Sequence, residues 1–312
     1  MLLLKKVLRK IRNVFLLIPG FISFLREKKI IFMINGGLGS QMWQYAVGQA
    51  IEKKSRVPVY YDTEFYKHWG KDCSGQFNRN WELDSVFSTI TVKKASACEV
   101  SFYKMFLGKR YSTNRTVTTF IEEILLSKQP RYLGEYYNHI QYVDFIEKAL
   151  RDQFIFDTMS FSKDTVEMAK TIKNTPCAVA VQVRRGDFVT VGTDKLSPSE
   201  YFYKAIDKIK NCMIEQNSGK IVFFIFSNDI QFCQNVLFSA RKESFVFVDI
   251  NDNDNGAQDM YLMSLCNHFI LSAHSVFGWW GAFLSSADSS KIVIMPVSEE
   301  KSGMFLQGWT GV

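Results

Sequence analysis

Apolar and polar positions along the chain fall into blocks that read in turn as strand, loop and helix. Ile30 to Asn35 (IIFMIN) is dense in bulky and β-branched residues, the pattern of a buried strand. It runs into Gly36-Gly37-Leu38-Gly39, a helical pattern follows from Gln41 to Lys54, and Val57 to Tyr61 reads as a second strand. Residues 65–130 show no clean period. Arg131 to Leu133 fits a further strand, and Val143 to Phe154 a helix.

The second half is more regular. Ala178 to Val183 is a strand, and a charged loop follows it. Ser197-Pro198-Ser199-Glu200 reads as a capping box with proline at the first helical position. The helix it opens has an apolar face of Phe202, Ala205, Ile206, Ile209 and Met213. Ile221–Phe226, Phe245–Val248, His268–Leu271 and Ile292–Met295 read as strands, with helices at Asp259–Cys266 and Val276–Ser285. Regular alternation predicts an α/β fold with parallel sheets covered by helices. Three segments are expected: 1–29, 30–160 and 161–312. In such folds ligands bind beyond the carboxyl ends of the strands.

Composition supports packed domains. Of 312 residues, 47% are apolar and 22% charged, which excludes a disordered chain. The net charge of +7 suggests anionic partners, but its location changes that picture. Residues 1–29 hold eight cations (Lys5, Lys6, Arg9, Lys10, Arg12, Arg26, Lys28, Lys29) against Glu27, which accounts for the whole excess. The rest is near neutral, so a nucleic-acid partner is not expected. Leu3, Leu4, Val7, Leu8, Ile11, Val14, Phe15 and Ile18 recur at helical spacing in the same segment. Such a helix can lie on an anionic membrane, and the alternative is a packed or loose tail. Pro19-Gly20 predicts a break, and no stretch is long enough to span. A cytoplasmic protein is expected, peripheral on the inner face of the plasma membrane if residues 1–28 bind lipid.

Six cysteines and four histidines form no C-x-x-C, H-E-x-x-H or other ligand spacing, so no structural metal is expected. The acidic and amidic run Asn251 to Gly256 fails the EF-hand spacing and reads as a polar loop. Asn114-Arg115-Thr116 is a formal glycosylation sequon, without meaning in the cytoplasm.

Three clusters carry chemistry, each directly after an expected strand. Arg184 and Arg185 leave one strand just before Gly186 and Asp187. Their planar donor forks suit phosphate oxygens, and the alternative is a pair of salt bridges with Asp187 as one partner. Ser227-Asn228-Asp229 follows the next strand, where Asp229 either reads a base or ribose or caps a helix. Ser272, His274 and Ser275 precede a helix whose free amides can bind a diphosphate. The Gly36–Gly39 loop is a further anion or sugar cradle. It lacks the dinucleotide fingerprint, because Met42 stands at the last position.

Read together, these motifs resemble the family 11 glycosyltransferases, the α-1,2-fucosyltransferases of bacteria and animals. The segments are GGLGSQMWQYA from Gly36, QVRRGDF from Gln182, Ser227 to Asp229, and the long run from Asp259 to Leu284. The resemblance implies a GT-B-like fold of two Rossmann-type domains, acceptor-side at 30–160 and donor-binding at 161–312. It also implies a GDP-fucose donor, a galactoside acceptor, inversion at the anomeric carbon and no required metal or other cofactor. By that likeness Arg184 binds the diphosphate, Arg185 supports it or pairs with Asp187, Asp229 reads the guanine or its ribose, and Ser275 holds phosphate with His274 beside it. Gln182 and Ser227 fall at donor-site positions of the family, and Gly37, Gly39 and Gln41 would line the cleft. Asp187 is the candidate base, with a structural partner of the arginines as the alternative. Departures occur at Gln182, where the family has His, at Ser40, where it has Asn, and at Ala273-His274-Ser275-Val276, where it has A-N-S-S. Glutamine cannot act as a base or become cationic. These departures keep two alternatives open: another nucleotide sugar, or a non-catalytic binding relative.

Overall fold

The computed structural model describes residues 16–72, 74–108, 116–192, 196–215, 219–251, 255–287, 291–298 and 303–312. The apolar run from Leu3 to Phe15, Cys73, the sequon asparagine and residues 252–254 of the polar loop lie outside them. The chain forms two compact units. The first holds Met1–Gly70, Trp81–Asp84 and Ile90–Leu150, the second Lys71–Asn80, Ser85–Thr89 and Arg151–Val312. A single cut at 160 therefore misses two excursions into the second unit. One of them is held by Phe87, fully buried with its ring 5.0 Å from Phe154 and 5.1 Å from Phe156.

In the first unit, strands β1 (Ile30–Met33), β2 (Val59–Asp62) and β3 (Arg131–Leu133) form a parallel sheet in the order β2-β1-β3. Helix α2 (Leu38–Ser55) follows β1. The strand ends short of Asn35 because that residue's backbone N–H donates to Gln44 Oε1 at 2.8 Å, while Gln44 Nε2 donates back to Asn35 Oδ1 at 3.1 Å. A reciprocal amide pair thus turns the chain into the glycine loop.

The break expected at Pro19-Gly20 is absent. Residues 16–26 form one helix, α1, laid on α3 (Ala97–Phe106). Leu17 and Phe24 pack into the cluster of Val100, Phe102 and Tyr103, and a Cβ on Gly20 would collide with the Cys98 carbonyl and Phe102. Glycine is required there by close approach, and packing overrides the low helix propensity of the pair.

Lys29 also departs from expectation. It is not a tail cation facing lipid but is 4% exposed, bonded to Glu27 and Glu99 at 2.9 Å each, with its ammonium over the Tyr60 ring. Burial would raise the Glu99 carboxyl, but hydrogen bonds from Ser23, Lys29 and Ser96 bring it down to about 2. The folded value lies below the ordinary glutamate value. This contribution is therefore present above the unfolded pKa near 4.5 and is lost as pH falls toward 2. Glu99→Gln is expected to cost about 2 kcal/mol at neutral pH and to flatten the loss of stability below pH 4.5, which urea melts across that range will show.

The second unit builds a six-stranded parallel sheet. Its strands are β4 (Cys177–Val183), β5 (Ile221–Ser227), β6 (Phe245–Phe247), β7 (His268–Ile270), β8 (Val293–Met295) and β9 (Thr310–Gly311). Their order is β9-β8-β7-β4-β5-β6, so the chain winds one way from β4 and then returns to wind the other way from β7. This is the doubly wound order, and its switch point lies between β4 and β7. Helices α4 (Lys163–Lys173), α5 (Gly186–Val191), α6 (Ser199–Glu215), α7 (Gly256–Ser264) and α8 (Val276–Leu284) connect and cover the sheet. Phe202, Ala205, Ile206, Ile209 and Met213 of α6 are all buried against β4 and β5, as their spacing predicts. The Ser197 hydroxyl accepts from the Ala273 amide at 2.8 Å, tying the entry of α6 to the loop after β7. The charged loop expected after β4 contains helix α5. Both units are α/β with parallel sheets, the fold class expected.

Candidate active site

The switch point of the second unit gathers the expected residues. β4 delivers Arg184 and Arg185 at its carboxyl end, and β7 delivers Ser272 to Ser275 beside it. Ser272 holds the two strand ends together. Its hydroxyl donates to the Gln182 carbonyl and accepts from the Arg184 amide, both at 2.8 Å, and its own amide donates to Gln182 Oε1 at 3.2 Å. Gln182 is 5% exposed, and a Cβ on Gly278 of α8 would stand 2.9 Å from its Oε1. Glutamine here ties the β7 turn to β4, with Gly278 of α8 packed against its amide.

The two arginines take different partners. Arg184 Nη2 pairs with Asp187 Oδ1, and its guanidinium lies 5.1 Å from the Phe188 ring centroid. Arg185 Nε donates to Asp229 Oδ2 at 2.9 Å, and the guanidinium stacks 3.5 Å from the Phe232 ring centroid. Pairing of Arg185 with Asp187 is therefore replaced by pairing with Asp229. Burial lowers the Arg184 pKa, the Asp187 charge opposes that shift, and the group stays cationic. Asp229 accepts from the Phe232 amide at 3.2 Å, so it caps a helix and braces Arg185 at once. Ser227 donates to the Val183 carbonyl at 2.8 Å and accepts from the Asp229 amide at 3.0 Å. These bonds lock the ends of β4 and β5 together.

On the other side, Ser275 caps α8 by accepting from the Gly278 amide at 3.3 Å. His274 has φ +54°, a left-handed conformation that Asn and His tolerate better than most residues, and its side chain is exposed. Trp279 and Trp280 are buried, and a Cβ on Gly281 would reach Met263 Cβ at 3.0 Å, so this stretch packs α8 tightly.

In the first unit, Gly36 at φ +80° makes the turn. Its carbonyl accepts from Gln41 Nε2 at 3.3 Å and from the Tyr66 hydroxyl at 3.0 Å. Gln41 is fully buried, and its Oε1 accepts from the amides of Glu82 and Leu83. Gln41 thus clamps the glycine loop to residues 82 and 83. Gly39 is buried too, while Gly37 is half-buried at the start of α2.

One neighbour was not foreseen. Arg79, in the excursion 71–80, places Nη2 3.7 Å from Asp187 Oδ2. Asp187 thus spends one oxygen on each of two guanidiniums, Arg184 and Arg79. The charge of Asp72 also acts on Arg184, from a turn closed by the amides of Gln76 and Phe77. Residues 65–130 have no period, so spacing could not have found Arg79. Among the described residues no group of three or more His, Cys, Asp or Glu could hold a metal ion.

Residues 87–312 match Glycosyl transferase family 11. The O-antigen biosynthesis glycosyltransferase WbnK of Escherichia coli is 26% identical over 88% of this chain and 98% of its own length. An alpha-1,2-colitosyltransferase of the same species is 28% identical over 83% of the chain and 88% of that protein. Galactoside alpha-(1,2)-fucosyltransferase 2 of Oryctolagus cuniculus is 21% identical over 95% of the chain and 79% of its own length. The family match takes in β4 with its two arginines, the Ser227–Asp229 turn and the β7–α8 turn, and the chain is therefore a glycosyltransferase of family 11.

Proposed function

We propose that the protein transfers fucose from GDP-fucose to a galactoside hydroxyl, with inversion and an α-1,2 linkage, in the synthesis of a surface glycan. The observation that carries this reading is the arginine pair at the switch point, each guanidinium held by its own carboxylate beside the capped start of α8. Two fixed cations and a helix N-terminus there suit a diphosphate. The relatives named for O-antigen biosynthesis and for α-1,2 transfer support the linkage and the glycan.

In the reaction the bond from the anomeric carbon to the diphosphate oxygen breaks, and GDP leaves with the electron pair. The acceptor oxygen bonds to the opposite face of that carbon and, late in the step, gives up its proton to solvent water. Negative charge grows on the departing diphosphate, where Arg184 and the first amides of α8 act as preorganised donors, with the Ser275 hydroxyl beside them. Arg185, braced by Asp229 and Phe232, supplies the second cation. Asp187 serves as the positioning residue for Arg184 and Arg79, which takes precedence over the general-base role, since both its oxygens face guanidiniums. Arg79→Ala is expected to lower kcat about tenfold by loosening Asp187 and so Arg184, with little change in melting temperature; steady-state kinetics beside a thermal melt will check it.

A related donor is the second reading, favoured by the colitosyltransferase being a nearer relative than the rabbit fucosyltransferase. The test is a screen of GDP-fucose, GDP-colitose and other nucleotide sugars by thermal shift, with mass analysis of products on a galactoside acceptor. A fucosylated product is the expected result, and turnover is expected to persist in EDTA because arginines take the place of a cation at the diphosphate. Product from colitose alone selects the second reading. Donor binding without any product would make the chain a binding relative.

A further inference from the structure

Helix α1 presents two apolar faces, and only one is used inside the first unit. Leu17, Gly20 and Phe24 face α3, where Ser23 also donates to Glu99 at 2.6 Å. Ile18, Phe21, Ile22 and Leu25 lie at helical spacing on the other face and are 60%, 47%, 43% and 65% exposed. Phe21 lies 5.7 Å from the buried Phe102, which lies 4.9 Å from Phe106, a residue of α3 that is itself 58% exposed. An apolar helix face exposed in this way marks an interaction surface.

Charge decides the occupant. Arg26 and Lys28 are exposed at the end of α1. The fifteen residues that lead into the helix carry Lys5, Lys6, Arg9, Lys10 and Arg12 and no acid. Glu27, also exposed, is the one acid in the first 28 residues, and an apolar stripe in so basic a stretch of sequence fits the interface of an anionic lipid bilayer. No helix among the described residues is long and apolar enough to cross a membrane, so contact in the interfacial plane is the geometry available to this face.

We propose that α1 seats the folded first unit on an anionic lipid surface, with Ile18, Phe21, Ile22 and Leu25 entering the interface. The anchor is then a built part of the unit. It is not a detachable tail over residues 1–28, because α1 also covers the Val100–Tyr103 cluster. This holds whichever sugar the enzyme transfers.

Flotation with phosphatidylcholine vesicles, with and without phosphatidylglycerol, tests the proposal on the full chain. Wild-type protein is expected to float with the anionic vesicles, less so as salt rises. The double variant Ile22→Asp/Leu25→Asp is expected to lower partitioning by roughly tenfold or more, with an unchanged melting temperature and unchanged turnover of a soluble acceptor. If that variant melts early, Ile18→Ser/Leu25→Ser, which adds no charge, replaces it. Equal flotation of variant and wild type would overturn the proposal, as would wild type that ignores anionic vesicles. A wild-type dimer that the variant converts to monomer, without vesicle binding, would show that a second copy covers the face.

Discussion

Arg184→Ala is expected to reduce kcat by at least about a hundredfold while the protein melts within a few degrees of wild type. Removing one preorganised donor from developing negative charge costs about 3 kcal/mol of transition-state stabilisation. The fold is spared because β4 is fastened through main-chain atoms: the Arg184 amide donates to Ser272, and the Gln182 carbonyl accepts from the same hydroxyl. The Asp187 carboxylate keeps Arg79 as a partner, so no bare buried charge is left. Arg184→Lys should recover only part of the rate, since a point charge cannot reproduce a planar fork. Steady-state kinetics with a full donor titration separates the possibilities. A fall confined to kcat locates Arg184 on the transition state, a rise confined to KM assigns it to ground-state donor binding, and activity within a few-fold of wild type would remove it from the site.

Much of this arrangement is legible in the sequence for a physical reason. Strands buried on both faces must be continuous apolar runs, so β4, β5, β7 and β8 announce themselves, and loops at their carboxyl ends hold what cannot be core. The order of the strands is not legible, because it depends on which apolar faces meet, yet the switch point follows from that order. Partner choice was also hidden. Arg185 sits two residues from Asp187 in sequence but reaches Asp229, because the end of β5 lies beside it and Phe232 offers a stacking face. The burial of Gln41 and Gln182 is likewise not legible, since an amide in a glycine loop or beside arginines carries no mark of it. Each accepts from neighbouring main-chain amides. Pro19-Gly20 misled because local propensity says nothing of the groove on α3 that glycine fits.

The second large effect falls on a glycine in the turn after β4. Gly186 has φ +35°, and a Cβ there would fall inside the Asn228 carboxamide. That carboxamide cannot swing away freely, because its Oδ1 accepts from the Arg185 amide at 2.9 Å. Gly186→Ala therefore forces either a strained backbone or the loss of that bond. The strain costs about 1–2 kcal/mol, and the bond about 1 more. Activity is expected to fall further than stability. The displaced turn carries Arg185 on one side and Asp187 on the other, and a shift near 1 Å in positioned groups costs on the order of a hundredfold in rate. Asn228→Gly in the Gly186→Ala background removes the obstructing carboxamide and should restore part of the melting temperature, leaving the backbone strain. Measured as a double-mutant cycle, the pair should show coupling of about 1 kcal/mol or more. Additive effects would mean that the turn after β4 is shaped by something other than the contact between Gly186 and Asn228.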